Sequence, residues 1–230
     1  MKKCVEKIRS ASTLIVLFLA TMVASNEVMG VNLVSNGSFE DPGFTNSYNF
    51  LAIAPYQGWY PTMSPTQITG WTATFDGSGE PSYWTKAPSY TAYDGNYGYV
   101  INDGDSMETT FSAVAGTPYT LSFYYAVIWP NPTGLLVNVA GTSKTLFGSD
   151  GTPTSVYYDN PYSHVLWSKF TVNFTAASTD PSAVLKFTNL QDNQNTYGMV
   201  IDNVQITPEP MTMILMIIGG FLAFRSRVVR

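Results

Sequence analysis

The sequence predicts an all-β fold, a jelly-roll β-sandwich, over about residues 31–207. Three observations carry this expectation. The 230-residue chain holds 15 Tyr, 13 Phe and 18 Gly with only 12% charged residues, a composition suited to pleated strands and turns rather than to Leu-Glu-Lys helices. Short apolar runs recur between clusters of Gly, Pro, Asn and Asp, and several of them alternate with period two. No internal repeat is present of the kind a propeller or β-helix would need.

Nine or ten segments read as strands. Asn32–Val34 opens the pattern, followed by Ile68–Thr74, Tyr97–Ile101 and Met107–Ser112. In Tyr119–Tyr125, residues Tyr119, Leu121, Phe123 and Tyr125 fall on one face and Thr120, Ser122 and Tyr124 on the other, so one face is buried. Leu135–Val139 and Lys144–Phe147 come next, then the alternating Phe170–Thr175 and Val184–Phe187, and Met199–Ile206 closes the pattern. Asp94-Gly95-Asn96, Asn102-Asp103-Gly104, Ala115-Gly116 and Ser149-Asp150-Gly151 supply turns between them. Many short strands without helices favour two packed sheets.

The two ends differ from this middle. Lys2, Lys3, Lys7 and Arg9 precede an apolar run from Leu14 to Ala24, the order of a secretory signal peptide over residues 1–30, which as a helix flanks the sandwich. Cleavage after Ala24, Ser25 or Gly30 fits, and an uncleaved anchor is the alternative reading. At the other end, Pro208-Glu209-Pro210 precede Met211–Phe224, which is uncharged, and then Arg225, Arg227 and Arg230. Prolines stop the last strand, the apolar run enters a bilayer as a short transmembrane helix, and the arginines resist translocation. Fourteen residues make a helix of about 21 Å, so the arginines must snorkel or the membrane must thin. A permanent single-span anchor shares this pattern.

Residues 208–230 resemble the PEP-CTERM sorting signal: Pro-Glu-Pro, an apolar helix, then an Arg-rich end at the extreme C-terminus. The resemblance implies recognition by an exosortase, a membrane-embedded, cysteine-protease-like enzyme of Gram-negative bacteria that make extracellular polysaccharide. It marks Pro208, Glu209 and Pro210 as the processing region and Arg225 and Arg227 as the basic stop. The protein is then exported to the envelope or beyond, with the inner membrane holding its tail until processing.

Charge excludes one class of partner. Between Val31 and Thr207 there are four lysines, no arginine and thirteen Asp or Glu, a net charge of −9. No basic face for nucleic acid can be assembled from these. The only cysteine, Cys4, lies in the predicted signal peptide, so the folded domain has no disulfide.

Asn32–Glu40 (Asn-Leu-Val-Ser-Asn-Gly-Ser-Phe-Glu) and Val200–Ile206 (Val-Ile-Asp-Asn-Val-Gln-Ile) together look like the edges of galactose-binding-like jelly rolls, which include several carbohydrate-binding modules. Read from the pleat, Asp202 shares a face with Val200, Val204 and Ile206, and a buried carboxylate requires compensation. Glu40 would meet it if the first and last strands are neighbours. The resemblance implies a structural calcium on Glu40 and Asp202, while backbone N–H bonds from the N-terminal loop are the metal-free alternative. Asn102-Asp103-Gly104-Asp105 looks like a cation loop but lacks the other ligands of an EF-hand and reads as a plain turn.

Trp59, Tyr60, Tyr83 and Trp84 are assigned to loops, where their rings either stack on a pyranose or pack under the loop itself. Trp71 and Trp167 read as strand residues. Catalysis finds little support: His164 stands alone, with no nucleophile motif near it. The expectation is a non-catalytic surface or matrix protein that binds polysaccharide, with a small hydrolase using a carboxylate pair, or an anchored structural protein, as rivals.

Overall fold

The computed structural model describes residues 30–41, 43, 50–55, 62–77, 79–86, 92–102, 104–127, 134–146, 167–190 and 198–209. The expected signal helix, the C-terminal helix, Trp59, Tyr60, His164, Pro210, Arg225 and Arg227 lie outside these residues. The described residues between Asn32 and Pro208 belong to one compact unit.

Eleven strands are present among them: β1 (Phe50–Ala52), β2 (Thr72–Thr74), β3 (Tyr83–Lys86), β4 (Tyr97–Ile101), β5 (Ser106–Ala113), β6 (Pro118–Val127), β7 (Leu135–Val139), β8 (Thr142–Leu146), β9 (Ser168–Thr175), β10 (Asp180–Asn189) and β11 (Met199–Pro208). They form a six-stranded sheet in the order β1-β3-β4-β11-β6-β9 and a five-stranded sheet in the order β2-β5-β10-β7-β8. All strand pairs are antiparallel. Apart from the hairpins β3-β4 and β7-β8, each strand lies in the other sheet from the one before it. This crossing back and forth gives a β-sandwich of the jelly-roll kind.

The alternation of β6 works as its sequence predicts. Leu121 and Phe123 are fully buried, and Phe123 meets Phe187 of the opposite sheet at 4.9 Å between centroids, edge to face. Aromatic pairs of this geometry add to the burial of their area. Trp71, Phe111, Leu135, Leu185 and Ile201 join the same core.

Four expectations are corrected. Strands β1 and β3 fall in stretches read as loops, because β3 is buried on both faces and shows no polar alternation. Asn32–Val34 is not a ladder strand: Asn32 brackets β11 instead, its Oδ1 accepting from Ile206 N and Val34 N and its Nδ2 donating to Val204 O. Trp71 sits before β2, in a turn where its N–H donates to Ile68 O. Strand β11 runs through Pro208, which pairs with Tyr119, two residues beyond the expected end of that strand at Ile206.

The motif Asn36-Gly37-Ser38-Phe39 is spent on the fold. Asn36, at φ 50°, uses its side chain to tie Asp41 and Thr69, and its carbonyl accepts from Phe39 N and the Trp71 indole. Phe39, at φ 57°, is fully buried between Trp71 and Tyr99, at 5.2 and 6.1 Å.

Candidate functional site

The register slips between Asp202 and Gln205 of β11, and Asn203 adopts φ 48°. This is a β-bulge, which inserts one residue and swaps the faces beyond it. Ile201 and Val204 therefore both reach the core, three residues apart, while Val200 and Asp202 point to the outer face of the six-stranded sheet. The expectation that Asp202 shares a face with Val204 and Ile206 is corrected by this bulge. Its register neighbour on β6 is Tyr124, which in turn faces Lys169 of β9.

Asp202 is fully buried nonetheless, because the turn before β4 lies over it. Its Oδ2 accepts from the N–H groups of Tyr93 and Asp94 at 2.8 and 2.9 Å, and its Oδ1 accepts from Asn203 N at 2.6 Å. Burial pushes its carboxyl up to about 7, against the pull of these three N–H donors. Glu40 holds the other end of the same turn, its Oε1 accepting from Asn96 N and Tyr97 N at 2.8 Å each. Between the two ends, Gly95 at φ +72° lies against the Glu40 carboxylate, so close that a Cβ would fall 2.3 Å from its Cδ.

Glu40 and Asp202 thus converge on one turn of backbone. The donors at these carboxylate oxygens are backbone N–H groups, as in the metal-free alternative, but they come from the turn before β4 and from the bulge rather than from the N-terminal loop. Both Asp202 oxygens and Glu40 Oε1 face the positive ends of N–H dipoles. Among the described residues, no three acidic, His or Cys side chains stand together.

A second buried carboxylate, Asp105, serves the turn between β4 and β5. Its Oδ1 accepts from Asp76 N, and its Oδ2 accepts from Ser82 N and Ser82 Oγ, at 2.9, 2.6 and 2.7 Å. Burial raises it to about 6. The cation-loop pattern around it is a turn, closed by Asp105 N donating to Asn102 O. Both raised carboxyls are sealed from solvent with their oxygens occupied, so neither presents a proton to a substrate.

Tyr83 and Trp84 do not form an exposed platform. They alternate on β3, so Trp84 enters the core at 1% exposure and donates its indole N–H to Phe39 O. Tyr83 points to the outer face in a row with Val100, Val200 and Ala126, where it is 5% exposed.

Among the described residues, the aromatic group that does reach solvent was not singled out from sequence. Tyr93, 41% exposed, lies flat on Tyr124 with centroids 3.3 Å apart and ring planes 14° apart. A hydrogen bond to Tyr124 is the first cause that raises the Tyr93 phenol. Trp167 stands edge-on to Tyr93 at 6.0 Å, and Lys169 Nζ lies 5.6 Å from the Tyr124 centroid. Among the described residues, the shielded Trp167 indole N–H has no acceptor, and Thr85 Oγ1 on the same sheet also lacks a partner. Ser122, Thr171, Thr120 and Asn173 continue this outer face with hydroxyl and amide groups. A signal was available in the sequence: Tyr124 is the one aromatic at a solvent-side position of an otherwise Thr-Ser strand face.

No family model and no curated protein sequence matches the chain. Among solved structures it is similar to an apo-form cyclase from Fischerella sp., at 16% identity and a TM-score of 0.49, covering 78% of this chain and 96% of that one. It is also similar to the K1 cleaved adhesin domain of Lys-gingipain from Porphyromonas gingivalis W83, at 13% identity and 0.43, covering 61% and 91%. A third is the CBM22-1 xylan-binding domain of Paenibacillus barcinonensis Xyn10C, at 14% identity and 0.39, covering 64% and 88%. Likenesses this distant carry no statement about ligand or activity.

Proposed function

We propose that this chain is a non-catalytic exported surface or matrix protein whose sandwich binds polysaccharide through the outer face of its six-stranded sheet. The observation that carries the reading is the Tyr93–Tyr124 stack, with its open ring face, beside Trp167 and a strip of hydroxyl and amide groups. A pyranose offers an apolar face to such a ring and hydroxyls to such neighbours. The acidic domain, at −9, favours neutral or weakly charged glycans over polyanions.

Retention on a panel of insoluble and soluble polysaccharides tests this. Tyr93→Ala is expected to weaken binding about tenfold or more, on the scale of one lost aromatic contact, with thermal stability little changed because the ring is exposed. Equal retention by the variant and the parent would remove the site, and turnover of the bound glycan would favour the hydrolase reading.

The same proposal takes the PEP-CTERM resemblance as the route of export. The intact mass of the protein from its native cells, fraction by fraction, checks it. A species lacking the N-terminal segment and everything beyond about Pro210, found outside the inner membrane, is the expected result. Membrane-bound protein retaining Met211–Arg230 would make this an anchored sandwich instead.

A further inference from the structure

Resting on the sugar-binding reading above, we propose that Asp202 is a positioning residue: from the sheet beneath, it sets the Tyr93 ring flat on Tyr124 and so builds the stacking platform. Tyr93 belongs to a turn, not to a strand, and its neighbour Gly95 adopts a conformation open mainly to glycine. An exposed tyrosine on such a turn would sample several rotamers, and ordering it would oppose binding.

The structure removes that freedom through one cross-strand pair. Asp202 and Tyr124 are register neighbours on β11 and β6. Tyr124 supplies the floor on which the ring lies, and Asp202 takes the backbone N–H groups of Tyr93 and Asp94. The holder of the backbone and the floor of the ring are therefore fixed to each other by the sheet. The bulge contributes through Asn203 N, which donates to the second oxygen of Asp202 and locks the carboxylate rotamer. Glu40 pins the far end of the turn at Asn96 and Tyr97, so the segment cannot swing about Asp202 as a hinge.

A role in stability alone would leave ring placement unaffected, and ring placement can be read without any glycan. Photo-oxidation by a ruthenium tris-bipyridyl complex with persulfate takes one electron and one proton from each of two phenols, and stacked rings then couple through their ortho carbons. The parent protein should yield a peptide linked between Tyr93 and Tyr124, two hydrogens lighter than its parts. Asp202→Asn, which keeps only one acceptor oxygen, should lower that yield about fivefold and weaken polysaccharide retention about tenfold. A folded Asp202→Asn variant with the parental yield would overturn the proposal.

Should that variant not fold, hydrogen exchange in the parent decides. The amides of Tyr93 and Asp94 should exchange about a hundredfold or more slower than free peptide, and exchange near the free rate would equally overturn the proposal. The glycan reading fails separately. If the linked peptide depends on Asp202 while the parent retains no polysaccharide, the positioning role stands and the sugar ligand falls.

Discussion

Gly37→Ala is expected to cost the domain about 3 kcal/mol or more, or to prevent folding, which is unusual for the addition of one methyl group. A Cβ on Gly37 would lie 2.0 Å from the carbonyl oxygen of Val204 and 3.0 Å from its carbon. Real contacts do not reach such distances, so backbone must move. The backbone in question has little room to do so: Val204 N donates to Gly37 O at 2.8 Å, Val204 O accepts from Asn32, and the Val204 side chain is fully buried just beyond the bulge. Separating the two segments would also draw Phe39 out of its place beside Trp71 and Tyr99. Urea unfolding of Gly37→Ala beside Gly141→Ala makes the comparison, since nothing lies within 4 Å of a Cβ at Gly141 and only its φ of +83° is strained. The second change should cost about 1 kcal/mol. Equal, small losses in both variants would mean that the N-terminal segment is not locked to β11 as described.

This latch shows what kind of information the sequence carried. Strands with one wet face, such as β6 and β9, announced themselves through Thr, Ser and Asn at every second position. Strand β7 was legible to its ends, because Gly134 and Ala140-Gly141 bracket it. Strand β3 was not, since Tyr83, Trp84 and Thr85 are all buried and leave no polar alternation to read. The same silence turned Tyr83 and Trp84 into loop aromatics. For Asp202, the first and last described segments of the domain do meet around its strand, but the face was misread because a bulge leaves only a faint mark in sequence. Here the mark is Asp202-Asn203 interrupting an apolar run, with Asn tolerating φ > 0. The turn holding Tyr93 was recognised as a turn from Asp94-Gly95-Asn96. That it folds back over β11 depends on contacts more than a hundred residues apart, which local patterns do not encode.

The two buried carboxyls give the domain an unusual response to pH: its stability should rise as the pH is lowered from about 7.5 to about 5. Burial lifts Asp105 from 3.8 to about 6 and Asp202 from 3.8 to about 7. A carboxyl raised in the folded state binds its proton more tightly there than in the unfolded chain. Between the ordinary carboxylate value and the raised one, the native protein therefore holds protons that the unfolded chain has released. The stabilisation is fully present below the unfolded value of 3.8 and is lost as the pH rises through about 6 for Asp105 and about 7 for Asp202. The two together amount to a few kcal/mol. Relief of repulsion in a domain of net charge −9 acts in the same direction, so the slope alone does not identify its source. Urea midpoints across this range for the parent and for Asp105→Asn separate the two. Asn removes the titrating group and keeps one oxygen for the two Ser82 donors, while its amide takes the side facing Asp76 N, as the O–H of the protonated carboxyl would. The variant should lose part of the slope and become relatively more stable at about pH 7.5 than at about pH 5. A parental slope in the variant would assign the effect to general repulsion, and a parent that gains stability as the pH rises would show that the N–H donors, rather than burial, set the charge of these two carboxyls.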